Sequence, residues 1–237
     1  MRYLYRGKRI LQTFLFFCAT LVLAPAEPQY RPDDILINVR DRMNSVRDYS
    51  AEVNVSVDIP RLRMPVKKVH IYFKQPDKFA VKTSGFAIVP KIGLLPAQMA
   101  SISKNAEMFL RSTPEDNSDN AYIIDIHPRD LNNKMTSTVW VNAHRWTIDK
   151  VLMEAPDVGK TVVKIHYQNI DGVWLPDTTT VFLDMMHSIP EMQRPSVEFP
   201  VGYSGGASSD EPLNGTIRIR FDNYRVNQGI GDDVFNE

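Results

Sequence analysis

Five histidines could bind a metal or move a proton: His70, His127, His144, His166 and His187. Imidazole does both near neutral pH. A zinc site wants two such ligands a turn apart, or a tight Cys/His cluster. No two of these histidines are that close. His70 and His166 fall in alternating stretches and read as strand-face residues. Asp232 and Asp233 are adjacent carboxylates that could hold a cation, but on a tail they read as solvated. Ser204-Gly205-Gly206 reads as a loop. There is no nucleophile elbow and no phosphate loop. The residues make no case for an enzyme, a metal or a cofactor.

What remains is a set of apolar positions and the elements that must hold them. From Thr138 to Leu183 the chain reads as four strands. The runs are 138–142, 146–154, 161–167 and 174–183. Period-two alternation with β-branched residues, broken by turn residues, predicts an antiparallel meander. Asp171-Gly172 is its strongest hairpin signal, because a tight primed turn demands positive φ. Both faces of the meander are apolar: Trp146, Ile148 and Leu152 on one parity, Val151 and Met153 on the other. Such a sheet packs two layers or curves around a ligand.

The N-terminus is of a different kind. Arg2, Arg6, Lys8 and Arg9 precede an apolar run from Ile10 to Ala24, and Ala24-Pro25-Ala26 fits a cleavage site. Residues 1–26 are expected to be a cleaved signal peptide, and 27–237 one mature domain. The run is short and flanked by charge on one side, unlike a membrane span. Cys18, the sole cysteine, follows the bulky Phe16 and Phe17, so no lipid anchor is expected there. An exported chain without disulfides depends on its core alone. No second run of spanning length follows, so the mature protein is expected to be soluble. Basic and acidic residues balance at 28 each; losing the leader's four basic residues leaves a net charge of −4. That balance argues against nucleic acid as a partner.

Pro32 to Val46 is the one helix expected. Asp33 and Asp34 suit its positive end, and Ile35, Leu36, Val39, Met43 and Val46 form its stripe. Strands follow around 49–57, 69–73, 79–81, 107–111, 122–126 and 216–226. Segment 84–102 is apolar but broken by Gly85, Pro90, Gly93 and Pro96, which forbid one long helix or a central strand. It reads equally as a lid over a cavity or as a plug in a dry core. Segment 184–214 reads as a long irregular loop, apolar in its first half.

Several stretches together resemble a known family. They are the helix, Tyr49-Ser50-Ala51-Glu52-Val53, the hairpin Phe73-Lys74-Gln75-Pro76-Asp77-Lys78-Phe79, the strand opening Asp171-Gly172-Val173-Trp174-Leu175-Pro176, and Asn223-Tyr224-Arg225-Val226-Asn227. The chain looks like the LolA/LolB-like superfamily of periplasmic lipoprotein carriers over about residues 32–235. The resemblance implies a mainly β fold with helices (α+β). A curved antiparallel sheet, an incomplete β-barrel, wraps around the N-terminal helix and the apolar lid segment. It also implies a hydrophobic cavity for acyl chains of lipoproteins or lipid, and a periplasmic monomer. An inner-membrane release complex and an outer-membrane acceptor would be its partners. In the well-studied carriers a lid-locking Arg precedes the hairpin Pro; here that position is Gln75, and Lys74 and Lys78 lack the planar fork to substitute for it.

Candidate ligand-lining residues are Phe79, Phe86, Ile88, Val89, Leu94, Leu95, Met99, Trp140, Leu152, Ile165 and Trp174. The alternative reading is a periplasmic sensor or interaction module that binds a protein partner through the 184–214 loop. An enzyme acting on lipid or glycan is a third, without a catalytic constellation to support it.

Overall fold

The computed structural model of the chain describes residues 30–60, 62–63, 65–83, 106–130, 134–185 and 213–236. The expected leader, residues 1–26, the segment 84–102 and most of the 184–214 stretch lie outside the described residues.

Helix α1 spans Pro32–Met43. Pro32 stands at its first turn, where a missing N–H costs nothing. Asp33 and Asp34 face the positive end of the dipole, and Arg40 and Arg42 the negative end. The helix stops at Met43 and not at Val46. Asn44 N–H donates to the Arg40 carbonyl and Val46 N–H to that of Met43, which tightens the chain into a turn. Val46 is still buried, but against the strands.

The strands are β1 (Asp48–Ile59), β2 (Leu62–Arg63), β3 (Lys67–Lys74), β4 (Lys78–Lys82), β5 (Ala106–Ser112), β6 (Ala121–Pro128), β7 (Thr136–Asn142), β8 (Ile148–Ala155), β9 (Gly159–Ile170), β10 (Val173–Met185) and β11 (Leu213–Val226). They form one sheet in the order β4-β3-β1-β11-β10-β9-β8-β7-β6-β5, with β2 paired only to β1. The pairings are antiparallel. β4 and β5 are its two edges, so the described sheet is curved but unclosed, an incomplete barrel around a helix. The expected meander is present as β7 to β10. Asp171 and Gly172 both have positive φ, at 50° and 86°, as a primed hairpin turn requires.

Trp146 departs from the expected pattern. It does not open β8, which begins at Ile148. Its φ is +56°, a conformation costly for a bulky side chain. Two backbone bonds impose it: Trp146 N–H to the Asn142 carbonyl at 2.9 Å, and Asn142 N–H to that of Thr147 at 2.8 Å. The Asn142 side chain also accepts from the N–H groups of His144 and Arg145. The ring of Trp146 stacks on Tyr122 and meets Tyr30 edge-on, each at 5.6 Å between centroids. These contacts pin the start of α1 to the β7–β8 turn.

Two clusters share the inner face. Ile35, Leu36 and Val39 of α1 pack on Ala106, Ile124, Ile126, Val139, Val141 and Ile148, from β5 to β8. The larger cluster belongs to β1, β3, β9, β10 and β11, and includes Val53, Val55, Ile71, Phe73, Ile217, Ile219 and Phe221. Among the described residues no second helix lies on that half. The packing phase of α1 gives a direct check. Ile35 is fully buried and Ile37 is 42% exposed. Ile35→Ala should cost about 2–5 kcal/mol by urea unfolding, and Ile37→Ala less than about 0.5 kcal/mol.

Candidate functional site

The inner face of the larger half is built by strand parity. Tyr49, Val53 and Val55 stand opposite Phe73, Val69 and Lys67 on one side, and opposite Val226, Phe221 and Ile219 on the other. Thr179 and Val181 of β10 continue the row between Ile219 and Ile217 of β11 and Ile165 and Val163 of β9. Nearly every inner position is aliphatic or aromatic. The phenols that border this face are not available as bases. Burial pushes the Tyr49 hydroxyl above its ordinary pKa, and does the same to Tyr167 and Tyr224. Tyr167 donates to the Ile148 carbonyl at 3.0 Å and Tyr224 to that of Pro176 at 2.8 Å. Among the described residues no group of three metal-capable side chains occurs. This surface is suited to burying apolar matter.

The two ends of the sheet differ. At one end lie the β3–β4, β7–β8 and β9–β10 turns, the end of α1 and the C-terminal tail. Gln75 donates from Nε2 to the carbonyls of Asn44 and Val46, at 2.9 and 2.8 Å. Its backbone N–H donates to the Arg47 carbonyl at 2.8 Å. An amide here binds the hairpin to the helix exit. Asn227 Oδ1 accepts from Arg47 N–H, and its Nδ2 donates to the Ser45 carbonyl. The buried Asp48 accepts from Gly229 N–H. Lys74 donates to the Ile230 carbonyl, and Asp232 bridges Lys74 at 2.6 Å and Lys78 at 3.0 Å. Asp232 is thus not a free carboxylate on a solvated tail, because two lysines of the hairpin hold it.

At the other end the described residues show exposed ion pairs, Lys134 with Asp157 at 3.5 Å and Lys160 with Asp184 at 3.2 Å, and no network that ties helix, hairpin and tail together. There the partly buried side chains Val57, Met153 and Val158 pack against the larger cluster. Lys82, Ala106, Met185 and Leu213, where the described chain is interrupted next to β4, β5, β10 and β11, also end there.

Of the sequence candidates, Ile165 is buried on the inner face, and Phe79, opposite Phe73, is partly buried against the same cluster. Trp140 and Leu152 stand on the opposite, outer face. Leu152 pairs with Thr138 and Val162, and Trp140 with Lys150, whose ammonium lies 3.9 Å over the indole. Trp174 sits beneath the Arg145 guanidinium, 5.3 Å from its ring centroid. Phe86, Ile88, Val89, Leu94, Leu95 and Met99 lie outside the described residues. Ile148, assigned by alternation to the parity of Leu152, is buried on the inner face opposite Val141, because a register shift after Lys150 flips it. The sequence candidates omitted Val57, Met153 and Val158. Alternation along β1 placed Val57 with Val53 and Val55, which was the available signal.

No protein-family model matches the chain, and no curated protein does. Solved structures do match. A DUF1329 family protein from Desulfovibrio piger is 14% identical, with 86% of this chain and 95% of that one covered and a TM-score of 0.54. A putative outer membrane lipoprotein-sorting protein domain from Vibrio parahaemolyticus is 10% identical, with 85% and 95% covered and a TM-score of 0.52. A LolA superfamily protein from Nitrosomonas europaea matches at 9% identity and a TM-score of 0.47, with 86% and 97% covered. The chain shares its overall fold with the first two of these structures, as the sequence resemblance implies.

The latch supplies a pH test. Hydrogen bonds from Lys74 and Lys78 hold the Asp232 carboxyl below the usual aspartate range. A lowered folded pKa stabilises above the unfolded pKa, and the contribution is lost as pH falls through the folded value. Asp232→Asn should therefore be less stable than the parent at neutral pH. The gap should close in acid, below about pH 4, when thermal midpoints of the two proteins are compared across pH.

Proposed function

We propose that the protein is an exported, periplasmic carrier that holds the alkyl chains of a lipid or an acylated lipoprotein against the inner face of its sheet. The supporting observation is an apolar inner face that extends well beyond the strands on which the helix packs. Helix α1 packs on β5 to β8, while β1, β3 and β9 to β11 carry a second cluster of aliphatic and aromatic side chains, Val53, Val55, Ile71 and Ile219 among them, all buried, and an alkyl chain enters by parting this cluster. The leader-like first 26 residues support export. The alkyl chain enters at the end that bears Val57, Met153 and Val158, because the other end is tied shut by Gln75, Asn227 and Asp232.

Magnitudes favour a ligand with more than one chain. Each buried methylene contributes about 0.8 kcal/mol, so ten give roughly 8 kcal/mol. Association costs about 4–15 kcal/mol in lost freedom. A single fatty acid is then close to break-even, and a diacyl or triacyl ligand is clearly bound. Release requires another apolar environment, since the chain has no nucleotide-binding motif to drive it.

The test is native mass spectrometry of the mature chain purified from a bacterial envelope, followed by titration with a fluorescent diacyl lipid and an acylated peptide. A co-purifying lipid mass and saturable binding are expected. Met153→Trp, which fills the entrance, should weaken binding at least tenfold, a loss of about 1.4 kcal/mol. Its thermal midpoint should stay close to that of the parent. An apo mass together with no uptake of either probe would remove the carrier reading.

A further inference from the structure

The outer face carries an organised surface that inner-face burial does not use. Registers across β7, β8, β9, β10 and β11 align Trp140, Lys150, Lys164, Thr180 and Arg218 in one row. Lys150 and Lys164 stand directly opposite each other. Like charges in that position are destabilising. Among the described residues neither lysine is paired with a carboxylate, and neither is Arg218. Cations elsewhere on this face do have partners: Lys160 with Asp184, Lys68 with Glu52, and Arg220 with Asp222. The adjacent row is apolar. It runs Leu152, Val162, Phe182, and Phe182 is 40% exposed. Lys164 reaches over the Phe182 ring at 5.5 Å, and Lys150 over Trp140 at 3.9 Å. Phe109, 53% exposed, lies on the same face at the β5 edge, opposite Asp125.

We infer that this outer face docks on a membrane surface rich in anionic phospholipid. The three unpaired cations stand in a line, about 5 Å and then about 10 Å apart given the inter-strand spacing. That line suits a plane of phosphates better than one bound anion. The apolar row beside it, with the exposed Phe182, suits the boundary between headgroups and acyl chains, where apolar side chains and snorkelling lysines settle. The mature chain's net charge of −4 gives it no general attraction to such a surface, so contact must be local. The proposal stands on the outer face alone and does not depend on what the inner face holds.

The experiment is co-sedimentation of the mature chain with vesicles of phosphatidylcholine, with and without phosphatidylglycerol. Binding is expected only with phosphatidylglycerol and should weaken as salt rises. Each cation removed should cost about fivefold, so combined Lys150→Gln, Lys164→Gln and Arg218→Gln should cost on the order of 100-fold. Phe182→Ser should cost roughly tenfold, and Phe182→Trp should shift its emission to the blue on anionic vesicles. Met153→Trp, on the inner face, should leave vesicle binding unchanged, which separates this surface from the carrier site. An unchanged thermal midpoint for the triple variant shows that it folds. Failure of the parent to sediment with anionic vesicles overturns the inference. Equal binding to neutral vesicles, or parental affinity in the folded triple variant, does so as well.

Discussion

A twelve-residue helix cannot cover the inner face of a ten-strand sheet. The helix is about 18 Å long at 1.5 Å per residue. The sheet is about 45 Å wide at nearly 5 Å per strand. That mismatch divides the core in two. The helix stripe of Ile35, Leu36 and Val39 meets four neighbouring strands, β5 to β8, and those strands make a closed hydrophobic cluster with it. The remaining strands make a cluster of their own, from Val46 at the helix exit to Phe221 and Met185. Val151 packs against both, so the two halves are continuous. A fold built this way has a second buried apolar cluster beside the one its helix packs on, and the proposed carriage rests on that cluster.

The unequal ends follow from where the polar residues fall. Asn44, Ser45 and Val46 leave the last carbonyls of the helix exit without intrahelical partners. Gln75 and Asn227 supply the donors from two other elements. Asp48 and Asp232 then fix the tail. Helix exit, hairpin and C-terminus become one unit, and the helix is held where the sheet curves. The Gln75 carboxamide makes two short bonds to backbone within this unit.

Much of this was legible in the sequence, for a physical reason. β1, β3 and β11 alternate cleanly, because one of their faces is buried and the other carries Glu52, His70, Arg218 and similar residues. Asp171-Gly172 announced its hairpin by chemistry alone. The sidedness of Trp140 and Leu152 was not legible. Both faces of β7 to β10 are partly apolar, so alternation could not say which was inner, and the shift beside Asp149 moved Ile148 across the parity boundary. Trp146 was misplaced because its turn is dictated by Asn142, whose backbone and side chain override the strand pattern. The Asp232 bridge links residues 158 positions apart, beyond the reach of any local pattern.

The most direct test of carriage at the inner face is methyl-resolved NMR on protein labelled at Ile and Val, with a protonated diacyl lipid added. Nuclear Overhauser contacts from the alkyl chain are expected at Val57, Ile217, Ile219 and Ile71, on the half without a helix. Ile124 beneath α1 and Val162 on the outer face should show none. Contacts confined to Val162 and its outer-face neighbours, or none at any inner methyl at saturating lipid, would contradict the account.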